Sequence, residues 1–362
     1  MAQFEFERVS NGIDMVRGQC SLIVDKDDDL LIAYTTETGE LVIASRKTGT
    51  WIGEKVSAPI VAAGTEDRVW LQIDSAGNPH VAYIEEGTRR LFHGVRGQDL
   101  NWSFEPVPTH LPPHEPIVFS ISFALHPGGQ NPDLRDTPHI LFEDQSSNGL
   151  GYARKLDGDW TVSQAASPIQ LGDVGSSRAG QSTSLTFNES QSLQIAYVET
   201  FDGNQRTVVH NKRLLSIAEG TFGSDRKVED GQFSAGRTSI LSQTPETWVV
   251  YCDVTRRVLK AGTFDSDGAP VVEVVAPLMG RTVPVLAQNP TIGGELADRL
   301  RIAYADDGKV KLARRERLEG WAVDVIDPDG GEMPSLAYDS RGNAHMAYAA
   351  GRVLKYAKGQ PG

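Results

Sequence analysis

Seven times along the chain, what reads as a short strand ends in an apolar residue, a small or apolar residue, and an aromatic. The instances are Ile32-Ala-Tyr34, Val81-Ala-Tyr83, Ile140-Leu-Phe142, Ile195-Ala-Tyr197, Val249-Val-Tyr251, Ile302-Ala-Tyr304 and Met346-Ala-Tyr348. The aromatics recur every 44 to 59 residues, and the count from Tyr348 through the end of the chain and on to Tyr34 is 48. A period of this length marks an array of like supersecondary units, and one that closes on itself demands a circular array.

Each unit reads as four strands. The first ends in a turn-forming polar residue, as in Ser21-Leu-Ile-Val-Asp25 and Ser335-Leu-Ala-Tyr-Asp339. A tight Gly/Asn turn leads to the aromatic-ending second strand. The third carries a small residue in its middle (Ala44, Gly94, Ala153, Ala313, Ala357), and the fourth often opens on Trp (Trp51, Trp102, Trp160, Trp321). Four short antiparallel strands repeated radially make a β-propeller blade. The expected fold is all-β: a seven-bladed β-propeller, four antiparallel strands per blade, in one domain over residues 1–362. Phe4-Glu-Phe-Glu-Arg-Val9 lines up with the fourth strand Trp102-Ser-Phe-Glu-Pro-Val107, and the last unit lacks a fourth strand of its own. The N-terminal strand is therefore expected to close the last blade and remove an open sheet edge.

The segments Asp74-Ser-Ala-Gly-Asn-Pro-His-Val-Ala-Tyr83, Asp339-Ser-Arg-Gly-Asn-Ala-His-Met-Ala-Tyr348 and Leu354-Lys-Tyr-Ala357 resemble the tandem repeats of the sialidase-like, BNR-type propeller superfamily. The resemblance implies the propeller fold and carbohydrate-related chemistry. The chain departs from sialidases in lacking their S-x-D-x-G-x-x-W box and in having seven units rather than six, so no catalytic residue is carried over.

Composition bounds the partners. With 48 acids against 35 bases the net charge is −13, which argues against nucleic acid and anionic membranes as partners. No apolar run has a membrane helix's length. Cys20 and Cys252 make no disulfide framework, no Cys/His spacing suggests a metal, and no cofactor is expected. The N-terminus lacks the basic-then-apolar pattern of a secretory leader, so a cytoplasmic protein is expected, a leader removed ahead of this numbering being the alternative.

Propeller ligands bind at one mouth of the central channel, among the connections between blades and those joining second to third strands. Arg17, Arg68, Arg178, Arg237 and Arg281 stand just before five first strands. Glu85, Asp144, Glu199, Asp253 and Asp306 stand two residues after the strand-two aromatic. One reading makes these a ring of arginine–carboxylate braces between blades. The other makes a pocket in which guanidinium forks (Arg17, Arg68, Arg178, Arg237, Arg281) hold an anion together with Glu199 and Asp306, leaving Glu85, Asp144 and Asp253 for acid–base work. His110 and His114 fall outside the repeat on a proline-rich connection and are further acid–base candidates. His80, His139 and His345 share one repeat position, immediately before the apolar-aromatic pair, and read as packing residues. Asp25-Lys-Asp-Asp-Asp29 reads as a solvated acidic turn.

The unequal loops favour one asymmetric pocket for an anionic, carboxylate-bearing sugar or small molecule. Lyase and glycoside hydrolase chemistry are the enzymatic options. A protein-interaction scaffold is the alternative, and a multivalent lectin ranks third.

Overall fold

The computed structural model describes residues 4–9, 19–47, 49–56, 61, 69–109, 118–129, 131–144, 149–166, 178–201, 206–316 and 320–360. Its strands form seven antiparallel sheets, each ordered first to fourth as the repeat demands, and the fold is the seven-bladed β-propeller. Backbone contacts group the chain into two compact units: residues 1–88, 92–105 and 282–362 in one, 89–91 and 106–281 in the other.

The first unit holds blades 1, 2, 6 and 7. Blade 1 comprises Ser21–Val24, Leu30–Thr35, Leu41–Arg46 and Ile52–Val56. Blade 2 comprises Trp70–Ile73, Pro79–Ile84, Leu91–Arg96 and Trp102–Pro106. Blade 6 is Val285–Gln288, Leu300–Asp306, Lys309–Glu316 and Gly320–Asp327. Blade 7 is Glu332–Tyr338, Ala344–Ala350 and Val353–Gly359, completed by Phe4–Arg8. That last pairing is antiparallel, with Phe4 opposite Gly359 and Arg8 opposite Lys355. Glu7 on it accepts from Trp51 Nε1 at 2.9 Å and meets Arg46 at 2.6 Å, tying the closing strand to blade 1.

The second unit holds blades 3 to 5. Blade 3 is Val118–Leu125, Pro138–Asp144, Gly149–Leu156 and Asp159–Ala166. Blade 4 is Arg178–Phe187, Leu193–Phe201, Arg206–Ser216 and Arg226–Gly231, with an extra two-residue strand, Thr221–Phe222, on the third. Blade 5 is Ala235–Gln243, Glu246–Asp253, Val258–Phe264 and Pro270–Pro277.

Second strands such as Leu30–Thr35, Pro138–Asp144 and Leu193–Phe201 are buried along their whole length. Covered on both faces, they carry unbroken apolar runs rather than alternation. Tyr34, Tyr83, Phe142, Tyr197, Tyr251, Tyr304 and Tyr348 are all buried. The small residue of the third strand has a steric cause in two blades. A Cβ on Gly94 would fall 2.4 Å from the Phe104 ring, and one on Gly262, at the same register position in blade 5, would fall 2.3 Å from Val228 Cγ1.

A serine recurring on the first strand clasps neighbouring blades. Ser335 Oγ accepts the Leu22 N–H at 2.9 Å, Ser21 Oγ the Leu71 N–H at 3.2 Å, and Ser122 Oγ the Leu185 N–H at 3.1 Å. Each hydroxyl satisfies an inner-edge amide that would otherwise be buried without a partner. The three repeat histidines are buried and bonded within their blades: His139 Nδ1 to the Tyr152 hydroxyl at 2.5 Å, His345 Nδ1 to that of Tyr356 at 2.6 Å, and His80 Nδ1 to His93 Nε2 at 3.1 Å.

Candidate functional site

Each carboxylate picked out two residues after the strand-two aromatic stands at or beside the turn into the third strand, and most meet a partner from their own blade. Glu199 accepts from His210 Nε2 at 2.9 Å, and Asp306 meets Lys311 Nζ at 2.7 Å. Asp253 meets Lys260 Nζ at 2.9 Å. Glu85 accepts from the Thr88 hydroxyl in its own turn, and Asp144 ends its strand fully buried. The partners His210, Lys260 and Lys311 all come from one register position, directly across from the strand-two tyrosine: Tyr197 faces His210, Tyr251 faces Lys260, Tyr304 faces Lys311, and in blade 7 Tyr348 faces Lys355. In blades 4, 5 and 6 a strand-three lysine or histidine thus braces the acid.

Of the arginines, Arg237 is buried early in the first strand of blade 5, and Arg281 is exposed after its fourth strand. A Cβ added to Gly236 would sit 3.8 Å from Arg281 Nε, so the Arg281 side chain lies against the backbone immediately before Arg237. Arg178 opens the first strand of blade 4, and its side chain lies outside the described residues, as do Arg17, Arg68, His110 and His114 entirely.

A dense charge cluster among the described residues lies at this end of blade 5. Lys260, nearly buried, places Nζ 2.7 and 2.9 Å from the Glu229 oxygens and 2.9 Å from Asp253 Oδ2, above the Phe233 ring at 5.1 Å. The Tyr251 hydroxyl donates to Glu229. Asp253 has 0% of its side chain exposed, and Oδ1 accepts the Arg256 N–H at 2.9 Å. Arg256 Nη1 returns to Asp253 Oδ2 at 3.0 Å and approaches Glu229 at 3.5 Å, while 53% of the side chain stays exposed. Burial alone would raise the Asp253 carboxyl, but the Arg256 N–H and the Lys260 ammonium outweigh it and hold it below the usual carboxylate range. Asp253 is therefore an anion that aims Arg256 outward, with its oxygens already engaged. Arg256 was missed in the sequence because its own N–H, bonded to Asp253 Oδ1, bends it back onto that carboxylate, a contact that no repeat spacing encodes.

Blade 4 carries a parallel arrangement. His210 stacks on Tyr197 with ring centroids 4.7 Å apart, and the Tyr197 hydroxyl donates to Asp225 at 2.5 Å. Burial, then the Asp225 carboxylate, pushes this hydroxyl far above its ordinary range, and burial with the Glu229 bond does the same to Tyr251. Neither tyrosine is poised to take a proton. The acidic turn at Asp25 lies in the first unit beside a cavity of 420 Å³, where Asp25 Oδ1 accepts the N–H groups of Asp27 and Asp29. Among the described residues no cluster of three or more His, Cys, Asp or Glu has a metal site's geometry.

No family model and no curated protein sequence matches the chain. Solved structures do. The polysaccharide lyase Uly1 is 7% identical with a TM-score of 0.55, the match covering 94% of this chain and 89% of that one. A point mutant of the Aleuria aurantia lectin, in complex with α-methyl-L-fucoside, is 12% identical with a TM-score of 0.52, covering 88% of this chain and 98% of that one. At such identities the likeness is one of fold.

Proposed function

We propose that this is a carbohydrate-binding propeller that recognises a carboxylate-bearing saccharide at the blade 5 end carrying Arg256, Arg237 and Arg281. The observation that carries the reading is the half-exposed Arg256 guanidinium, held through Nη1 on the fully buried Asp253. An arginine already oriented by one carboxylate loses little freedom on meeting a second, and its planar fork matches a carboxylate in two hydrogen bonds. Arg281, lying close by against Gly236, supplies a further cation. The saccharide half of the reading is supported by the sialidase-like repeat and by the two carbohydrate-related proteins that share the fold. Binding is favoured over proton abstraction at this end, since the Tyr197 and Tyr251 hydroxyls are engaged with carboxylates.

Isothermal titration with glucuronate and galacturonate oligosaccharides, beside neutral glucose and galactose oligomers, tests this. Only the acidic series is expected to bind, and Arg256→Ala is expected to weaken it by about tenfold or more, the value of one charge-assisted hydrogen bond. Equal binding of neutral oligomers, or an Arg256→Ala protein that binds like the parent, overturns the proposal. Ultraviolet absorbance of an unsaturated product in the same mixtures reads out lyase turnover.

A further inference from the structure

A cavity of 310 Å³ lies between blades 4 and 5, at the end opposite the Arg256 cluster, where first strands turn into second strands. Its floor is built from buried polar side chains: Asn211, Gln194, Ser242 and Thr247. Asn211 is held by its own Nδ2, which donates to the Ile195 carbonyl at 3.0 Å, and the Ser242 and Thr247 hydroxyls meet at 2.8 Å. Across the rim, Asn188 Nδ2 reaches Thr244 Oγ1 at 3.2 Å, linking the two hairpins.

Two arginines stand on its wall, Arg213 and Arg226. Arg226 pairs with Asn211 across the third and fourth strands, and Arg213 lies two residues beyond Asn211, so both point from the same sheet face. Arg213 donates through Nε to Ser192 Oγ at 2.8 Å, and the Arg226 guanidinium lies 3.6 Å from the Phe264 ring centre. Among the described residues neither meets a carboxylate within ion-pair distance, and the cavity lining contains no Asp or Glu. Acids on the flanking turns face other groups: Glu189 towards Gln243, Glu246 towards Trp248 Nε1, Asp225 towards Tyr197 and Lys212, and Asp265 towards the backbone of its own turn.

Other blades show what this register position does when it is closed. In blade 3 the equivalent Arg154, paired with His139, is buried and donates to the Ala218 carbonyl at 2.6 Å. In blade 6 the equivalent Arg314, paired with Arg301, meets Glu316 at 2.7 Å and Asp324 at 3.2 Å. In blade 4 the position keeps its cation and faces a polar hollow, in a chain whose net charge is −13.

We infer that this groove is a second ligand site, for a single sugar ring bearing an oxyanion: a sulfate ester or a carboxylate. Arg213 and Arg226 take the charge, and the Asn211, Gln194 and Ser242 side chains take ring hydroxyls. The volume is at the lower end of the roughly 300–1,000 Å³ of small-molecule pockets, which suits one ring rather than a chain. The site is separate from the one at Arg256, and the test is run in an Arg256→Ala background so that the two stand or fall apart.

Isothermal titration of that protein with glucose 6-sulfate, glucuronate, glucose and sodium sulfate is the experiment. One or both anionic sugars are expected to bind, with neither glucose nor sulfate alone matching them. Adding Arg213→Ala or Arg226→Ala is expected to weaken binding by about tenfold or more, the loss of one charge-assisted hydrogen bond. Melting temperatures should stay near the parent's, because both side chains are exposed. Failure of both anionic sugars to bind, equal binding of glucose or sulfate, or indifference to both arginine substitutions overturns the inference. A Ser192→Ala variant, which removes the hydroxyl that Arg213 Nε donates to, is expected to weaken binding less than Arg213→Ala does, and an equal loss in the two would overturn the charge-based reading.

Discussion

At the scale of single residues, the buried histidines make the fold sensitive to acid before its carboxylates do. The Thr137 hydroxyl donates to the Leu134 carbonyl at 2.7 Å, so it accepts from His139 Nε2–H at 3.1 Å, and His139 Nδ1 accepts from the Tyr152 hydroxyl. That neutral tautomer is enforced by burial, with the neighbouring His126 and Arg154 adding to it, and the pKa falls from 6.5 to about 3. The unfolded chain takes up a proton near pH 6.5 that the folded chain refuses until about 3, so this stability is complete above 6.5 and is lost as pH falls towards 3. Asp230 behaves later: Arg206 beside it holds its carboxyl at about 2 against 3.8, and its contribution disappears between those values. Thermal melts from about pH 8 to 3 should show a decline starting near 6.5, and His139→Gln should flatten its early part while leaving the loss below about 4. A variant with the parent's slope would exclude this histidine as its source.

Single residues also mark what the sequence made legible. The serine on the first strand was visible as a small residue, but its hydroxyl's bond to the next blade's amide depends on a neighbour about 50 to 60 residues away in blades 1 to 4. Arg256 and Arg257 are adjacent and alike on paper. Arg257 takes a φ of +54° in the turn, and only Arg256 is bent back onto Asp253.

At the scale of strands, legibility follows burial. Second strands were legible because their two covered faces demand apolar runs with a large aromatic; most run on one or two residues past that aromatic, and in blade 4 the strand runs four past Tyr197 to Phe201. The fourth strand of blade 4 was not, since Arg226–Gly231 carries neither the Trp opening nor an apolar stripe, and a two-residue strand precedes it. The third-strand small residue is a packing requirement rather than a turn preference, and this is testable. Gly94→Ala should cost about 1–3 kcal/mol, because the new Cβ overlaps the Phe104 ring and the core must overpack. Gly293, with nothing within 4 Å of an added Cβ, serves as the control, and Gly293→Ala should be neutral or slightly stabilising. Urea denaturation of both variants decides it: a Gly94→Ala protein as stable as its control would show that the ring moves aside freely.

At the scale of the whole chain, the two ends share one sheet. The Phe4–Arg8 strand lies beside Val353–Gly359, and Val9 is buried with its N–H on the Leu354 carbonyl at 2.9 Å. Burial of Val9 alone contributes about 1.5–3 kcal/mol, so removing residues 1–9 should lower the melting temperature well beyond what loss of an exposed tail would do. A truncated chain that melts like the parent would make the strand a surface addition. The same pairing sets an order of events during synthesis. The Phe4–Arg8 strand is synthesised long before its partner Val353–Gly359 and waits with open amides and carbonyls until that strand emerges, so a message cut short before it releases a chain in which Phe4–Arg8 is still an unprotected edge.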